Sequence, residues 1–268
     1  MYVCRSFKHL PNMKKLIYLL FITSAVFAQN TKQLTYQYTD HNDFVCESHL
    51  FLKGKESLYI IKDPRTELNN QSTSGLVYKL YNDKWSRIFY KSEKLNITRV
   101  PLYGREMVYN SDKLVQSVKL TGKTKKIAGY TCQEALVSKG GRKYAVWYTT
   151  DVALVASPLN LSAVPGLVVE LRDTGSENFK ITLQKISNTA DLKEFEKYKK
   201  YILGKPIKSY VTYEKDLISQ MSNIKKENYA ALAKFNTSVE YAADQSYFTV
   251  HVVDIPEKLV PALQKITK

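Results

Sequence analysis

The run Gln133-Glu-Ala-Leu-Val-Ser-Lys-Gly-Gly-Arg-Lys-Tyr-Ala-Val-Trp-Tyr-Thr149 contains two short segments on either side of a glycine pair. Polar and apolar residues tend to alternate from Tyr144 to Thr149, which is typical of a β-strand with one buried face. Two such segments joined at Gly140-Gly141 predict an antiparallel hairpin.

The same period of two extends along the chain from about residue 33 to 188. The clearest further segments, rich in Tyr, Ile, Val and Thr, are Leu34–Tyr38, Ser57–Ile61, Leu76–Tyr81 and Trp85–Tyr90. Turn signals separate the segments at Lys53-Gly54-Lys55, Asn82-Asp83, Ser111-Asp112 and Asp173-Thr-Gly-Ser. Spacings of about ten residues without a helical period predict consecutive antiparallel strands.

The period changes after residue 188. Ala190–Ile202 predicts a charged helix with Leu192, Phe195 and Ile202 inward, ended by Gly204-Lys-Pro206. A second helix is predicted over Thr212–Phe235, capped by Thr212, with an apolar stripe. The stripe residues are Leu217, Met221, Ile224, Leu232 and Phe235. This apolar stripe either packs on the sheet or contacts a membrane or a partner protein. Further along the chain, Ser246–Val253 predicts a last strand and Leu259–Ile266 predicts a weak terminal helix.

These patterns predict a mainly β, α+β fold. We expect a strongly curved antiparallel sheet over residues 29–188, with helices and a last strand from 189–268 packed on it. The whole of 29–268 would form one domain. Such a sheet resembles the half-barrel of periplasmic lipoprotein carriers.

The N-terminus has the form of a secretory signal peptide. Met13-Lys14-Lys15 precedes an apolar run from Leu16 to Ala28 that ends in small residues. The run is too short to span a bilayer, which needs about 20 residues. We therefore expect residues 1–28 to be removed before Gln29, Met13 to be the initiator, and no transmembrane segment to remain. The predicted localisation is exported, in the periplasm or at the cell surface.

The net charge of the chain bears on which class of partner it could bind. The 268 residues carry a net charge of +15 and include 20 Tyr. Removal of residues 1–28 takes four basic side chains with it and leaves +11. Such a surplus favours anionic partners, or is a solvated lysine-rich surface. Export argues against nucleic acid, and a cluster at Lys123, Lys125 and Lys126 is expected in a loop.

Few residues of the sequence are candidates for a disulfide, a metal site or a catalytic site. Cys46 and Cys132 form either a disulfide, as an even pair in an exported chain suggests, or two buried thiols that never meet. His41, Asp43, Cys46 and His49 are of metal-ligand type, but residues 46 and 49 of a strand point to opposite faces, so we predict no metal site. No nucleophile elbow, dinucleotide motif or phosphate loop occurs, and we predict no catalytic residue and no cofactor.

Two stretches occur together in one order and spacing. The first comprises Lys126–Ala135 and Tyr144–Thr150; the second comprises Ser157-Pro158 and Val164–Leu171. Together they resemble the GLPGLI family, exported proteins of Bacteroidota without an assigned reaction. The motif positions are Gly129, Tyr130, Cys132, Trp147, Tyr148, Pro165, Gly166, Leu167 and Glu170. The chain departs from the family at Ser157, Ala163, Val164 and Val168.

The resemblance implies compartment and architecture but no catalysis. Pro165-Gly166 itself predicts a turn that leads into a strand, with Leu167, Val169 and Leu171 on one side. Glu170 then lies on the other side, as an exposed carboxylate paired with a lysine or as a ligand group. The leading hypothesis is a non-catalytic envelope protein that binds a hydrophobic ligand, lipid or partner protein. The alternatives are an assembly or surface-interaction protein beside an outer-membrane transporter and, third, a hydrolase.

Overall fold

Eleven strands and two long helices make up the part of the chain that the structure describes. The computed structural model describes residues 31–40, 45–62, 87–102, 105–112, 116–140, 142–161, 163–175 and 178–233. The strands are β1 Thr31–Thr39, β2 Val45–Lys53, β3 Glu56–Ile61, β4 Arg87–Lys91, β5 Asn96–Leu102, β6 Arg105–Asn110, β7 Gln116–Ile127, β8 Tyr130–Lys139, β9 Arg142–Thr149, β10 Leu167–Asp173 and β11 Lys180–Ser187. The helices are α1 Leu192–Leu203 and α2 Tyr210–Ala233.

All strands pair antiparallel in one open sheet, in the order β6-β5-β4-β3-β2-β1-β11-β10-β9-β8-β7. Strands that are consecutive in the chain are neighbours in the sheet, except for β6 and β7, which lie at its two edges. The last strand, β11, returns to pair with β1 in the middle of the sheet. Tight turns set the registers of three hairpins. Gly54 and Gly140 have positive φ, as do both turn residues Ala128 and Gly129 between β7 and β8, which suits the right-handed twist of the strands.

The sheet is strongly curved. Phe89 in β4 and Lys139 in β8 are seven strand spacings apart, which would be about 34 Å in a flat sheet. Nevertheless, Lys139 Nζ lies 5.8 Å from the centroid of the Phe89 ring. The two halves of the sheet therefore curl toward each other, and the face that carries both residues is concave. We call this the inward face and the opposite one the outward face.

The main core lies on the inward face. One row crosses five neighbouring strands and is buried throughout: Tyr38, Ile181, Leu171, Val146 and Ala135. The segment between β9 and β10 adds Leu159, Leu161 and Val164 to the same cluster. The expected curved, half-barrel-like sheet is confirmed.

The two helices lie on opposite faces of the β6 end. α1 packs Phe195, Tyr198 and Ile202 against outward-facing side chains of β2–β6 in a second core cluster. The chain then pairs with the β6 edge through Lys208, and α2 begins on the inward side, where Tyr213 stacks on Tyr109 at 3.9 Å between ring centroids. No helix of the described residues is long and apolar enough to cross a membrane.

Three local predictions were wrong. Leu192 is 40% exposed, and Tyr198 takes the buried position that an apolar pattern does not reveal. The side chain of Ser209, not Thr212, caps α2, accepting a hydrogen bond from the Thr212 amide at 3.1 Å. Lys123, Lys125 and Lys126 lie in strand β7 instead of a loop. The signal peptide, Leu76–Tyr81, Asn82-Asp83, Ser246–Val253 and Leu259–Ile266 lie outside the described residues.

Candidate functional site on the outward face of the sheet

The Pro165-Gly166 bend is set by close packing against β9. A Cβ atom on Gly166 would lie 2.4 Å from the carbonyl oxygen of Thr149 and 3.0 Å from Tyr148 Cδ2. Gly166 does not have positive φ, so its backbone angle does not require a glycine. The glycine is needed because the bend lies directly on the neighbouring strand.

The segment that precedes this bend fills the inward face. Residues Pro158–Asn160 form one 3-10 turn, and all three are buried. Leu159 and Asn160 both have positive φ, which is uncommon for residues other than glycine. Lys139 Nζ donates to the Leu159 carbonyl at 2.6 Å, which holds the turn inside the curved sheet.

Asn160 anchors this turn to the far half of the sheet. Its Nδ2 donates to Asn96 Oδ1 at 2.8 Å and to the Tyr90 carbonyl at 3.4 Å. Ser111 donates to the same Asn96 oxygen at 2.9 Å. These buried polar groups therefore hold the chain's own turn. Asn96 and Asn160 each begin an Asn-x-Ser/Thr triplet, but both side chains are buried, which leaves no room for a glycan.

The outward face of β7–β11 has a different character. Directly paired residues of antiparallel strands share a face, which places Glu134, Trp147, Glu170 and Thr182 in one outward row across β8–β11. Arg172 and Lys180, paired with each other, lie in the adjacent row. This surface is charged and carries one tryptophan, whereas the inward face is apolar.

Glu170 is the centre of this surface. It is only 4% exposed, which contradicts the expectation of an exposed carboxylate. Arg172 Nε and Lys125 Nζ lie 3.0 and 3.2 Å from its Oε1, and Lys180 Nζ lies 3.1 Å from its Oε2. Burial alone would raise the pKa of Glu170, but hydrogen bonds from Arg172, Lys180 and Lys125 more than offset burial, and the pKa is lowered. Glu170 therefore stays ionised and holds three cations together.

Trp147 lies beside the same cations. Lys125 Nζ is 4.1 Å from the centroid of the Trp147 ring, a cation–π distance. We call Lys125, Trp147, Glu170, Arg172 and Lys180 the Glu170 cluster. Its four charged groups carry a local net charge of +2, and each cation keeps between a third and a half of its side chain exposed.

The remaining motif residues form turns, pair between strands or pack in the core. Gly129 forms the β7–β8 turn, and Tyr130 pairs with Ile127 at its end. The buried ring of Tyr148 donates from its hydroxyl to Gln133 Oε1 at 2.9 Å. Leu167 is fully buried at the start of β10. The sequence singled out Trp147 and Glu170 as motif residues, but it could not join them to Lys125, Arg172 and Lys180.

Cys46 and Cys132 are not joined by a disulfide. Cys46 lies in β2 opposite Tyr38, and Cys132 is buried in β8 opposite Thr149, with four strands between β2 and β8. Burial raises the pKa of Cys132, so its thiol is held protonated and unreactive. Of the two alternatives, the separate thiols are correct.

His49 has a local partner in place of a metal. Its Nε2 lies 3.0 Å from Glu47 Oε1, and its Nδ1 lies 3.2 Å from Gln33 Nε2. His41 and Asp43 lie outside the described residues. Within the described ranges, no three His, Cys, Asp or Glu side chains come together as metal ligands.

Comparison with known proteins gives one family and several distant folds. The family described as N-glycanase peptide, N-terminal domain, matches residues 87–214, just under half of the chain. No curated protein matches. The structure of PNGF-II is 18% identical, with a TM-score of 0.44, over 70% of this chain and 33% of its own. The chain thus spans about a third of the length of PNGF-II.

Two smaller proteins are also similar. An uncharacterised conserved protein of Thermus thermophilus is 10% identical with a TM-score of 0.34, covering 73% of this chain and 99% of its own. A LolA-superfamily protein of Nitrosomonas europaea is 9% identical with a TM-score of 0.25, covering 61% and 88%. Likenesses at this level do not bear on activity.

Proposed function

We propose that this chain is an exported, non-catalytic binding protein that engages an envelope or surface partner through the outward face of β7–β11. The observation that carries the proposal is the filled inward face. Leu159, Leu161 and Val164 belong to the same buried cluster as the strands around them, and Asn160 and Lys139 fix the segment by hydrogen bonds. A carrier of lipid would need this volume for its ligand.

Export is supported by the sequence. The basic start and the short apolar run before Gln29 support a signal peptide, and the resemblance to the GLPGLI family supports the same compartment. We propose membership of that family on the motif residues, of which Trp147 and Glu170 belong to the outward face of β7–β11, the proposed binding face.

The matching family supports a glycan as the class of partner. That family is the N-terminal domain of an N-glycanase, and the match lies within strands β4–β11 and the two helices. Since the chain spans a third of PNGF-II, the reaction of an N-glycanase is not carried over. Recognition of sugar without hydrolysis is the part of that description that we propose for this chain.

Native mass spectrometry of the exported protein distinguishes the proposed function from that of a lipid carrier. We expect the mass of the processed chain alone, without a stoichiometric lipid. A lipid that stays bound at one copy per chain and is displaced by another lipid would contradict the proposal. Turnover of glycopeptide by the purified chain would contradict its non-catalytic part.

A further inference from the structure

We infer that the Glu170 cluster is a binding site for an acidic glycan, a sugar chain that carries carboxylate or sulfate groups; this rests on the proposed function. The first observation is the excess of positive charge on this face. Lys143 and Lys185 share the outward side of β9 and β11 with the cluster and are exposed. Glu134 is already paired with Lys123, whose Nζ lies 3.4 Å away.

The second observation is the donor capacity of the three cations. A lysine ammonium has three N–H donors and an arginine guanidinium has five. The contacts with Glu170 use one donor of Lys125, one of Lys180 and two of Arg172. The other donors belong to groups that are partly exposed, so an anion can be bound without breaking the ion pairs.

The third observation is that the cations are held in place before any ligand arrives. Three like charges repel one another, and the buried carboxylate of Glu170 brings them together on rigid strands. Arg172 extends from β10, Lys180 from β11 and Lys125 from β7. Binding then costs little side-chain entropy, and the planar guanidinium suits a carboxylate or a sulfate.

Trp147 distinguishes this site from a purely ionic patch. The half-buried ring is paired with Glu170 and covered in part by Lys125. An aromatic ring among cations offers an apolar surface beside charge, which suits a ligand with both apolar C–H groups and anionic groups. A sugar chain with acidic substituents has this combination, whereas a simple inorganic anion does not.

The test measures binding of the mature chain, residues 29–268, to three polymers: dextran sulfate, unmodified dextran and poly-glutamate. We expect the parent to bind dextran sulfate at least tenfold more tightly than poly-glutamate and not to bind dextran. Raising the salt concentration should weaken binding, because partly exposed charges are screened. Equal binding of poly-glutamate and dextran sulfate would overturn the assignment to a glycan.

Paired charge variants locate the site. Arg172→Gln with Lys180→Gln should lower the affinity for dextran sulfate at least tenfold. The control, Lys193→Gln with Lys200→Gln, removes the same charge from exposed positions on α1 and should change affinity less than twofold. Lys143→Gln should weaken binding about threefold. Because Lys143 has no contact with Glu170, this loss of affinity cannot come from disruption of the Glu170 ion pairs, as it could in the first variant. Equal losses in the cluster and control variants would overturn the site.

The two proposals fail in different ways. A folded parent that carries no lipid and binds none of the anionic polymers would overturn the glycan site and leave the proposed function in place. A stoichiometric lipid or glycopeptide turnover would overturn the proposed function itself.

Discussion

Glu170 shows how a single residue gains its importance from its neighbours. In the sequence it is one acidic residue in an apolar strand; in the structure it is a buried carboxylate with three cationic partners on three strands. Glutamine at this position would accept weaker hydrogen bonds and would leave three cations without a counter-charge.

We expect Glu170→Gln to lower the free energy of unfolding by about 1–3 kcal/mol, the usual range for loss of a buried charged acceptor. Chemical denaturation measures this change. Glu93→Gln is the matched control, since Glu93 forms a single exposed ion pair with Lys55 and should change stability by less than about 0.5 kcal/mol. Equal effects in the two variants would contradict the role of Glu170.

Gly166 gives a second prediction at the same scale. Alanine would place a methyl group 2.4 Å from the backbone oxygen of Thr149, so the bend or the end of β9 must move. We expect Gly166→Ala to destabilise the protein by about 1–3 kcal/mol, as overpacking does. Gly175→Ala is the control, because its nearest contact would be 3.4 Å, and thermal unfolding compares the two. A Gly166→Ala variant as stable as the parent would show that the contact relaxes freely.

Helix α1 is capped locally but is held on the sheet by side-chain packing. Asp191 caps it, accepting hydrogen bonds from the Lys193 and Glu194 amides at 3.0 and 3.1 Å, as local sequence rules allow. Its position on the sheet is fixed by Phe195, Tyr198 and Ile202. Lys199 adds two hydrogen bonds to Glu56 of β3, at 2.6 and 2.7 Å.

Phe195→Ala should cost about 3–5 kcal/mol, the range for removal of a buried aromatic ring. Leu192→Ala, at the exposed start of the same helix, should cost less than about 1 kcal/mol. Urea denaturation followed by circular dichroism gives both values. A similar loss for both would mean that the helix is not held by its buried side.

Acid stability is a further property of these elements. Burial would raise the pKa values of Glu56, Glu106 and Glu170, but Lys199, Lys205 and Arg172 respectively donate hydrogen bonds, and all three pKa values are lowered. A carboxyl whose pKa is lower in the folded protein stabilises it fully above its unfolded pKa of about 4.3 and loses that effect as pH falls through the folded value.

The midpoint of thermal unfolding should therefore be nearly constant from about pH 5 to 7 and fall steeply below about pH 4. Differential scanning fluorimetry across this range and down to about pH 3 measures it. In Glu56→Gln the midpoint should be lower at neutral pH and the fall in acid smaller than in the parent. An unchanged pH profile in that variant would contradict the contribution of the Glu56–Lys199 pair.

At the scale of the whole molecule, the segment between β9 and β10 packs against the inward face of the curved sheet. Asn160 and Lys139 join the segment after β9 to both halves of the curved sheet. Among the described residues, α1 covers the outward face of β2–β6, whereas no helix packs on the outward face of β7–β11, which we propose as the binding face.

Export is a prediction that concerns the N-terminal segment, residues 1–28. N-terminal sequencing of the protein recovered from outside the cytoplasm should begin at Gln29. The basic residues before an apolar run of this length are what a signal peptidase substrate requires. An exported product that retains Leu16–Ala28 would contradict cleavage.

Local pattern was sufficient for much of the fold. The hairpins at Gly54 and Gly140, the strand before Thr149 and the end of α1 near Gly204 follow from turn chemistry and from the periods of two and 3.6, which involve only neighbouring residues. The inward position of Leu192 was predicted wrongly because hydrophobicity alone does not say which side of a helix will pack on the sheet. Thr212 was predicted wrongly as the cap of α2 because Ser209, three residues earlier, is equally of capping type.

The candidate site could be recognised only from the tertiary structure. Lys125, Trp147, Glu170 and Lys180 lie on four different strands, and their convergence depends on strand order, register and the irregular pairing between Val168 and Glu170 in β10. A shift of one residue in that strand would turn Glu170 to the inward face. The sequence by itself determined an antiparallel sheet followed by helices, since those follow from local periodicity; only the folded sheet decided that a buried carboxylate would gather three distant cations on its outward face.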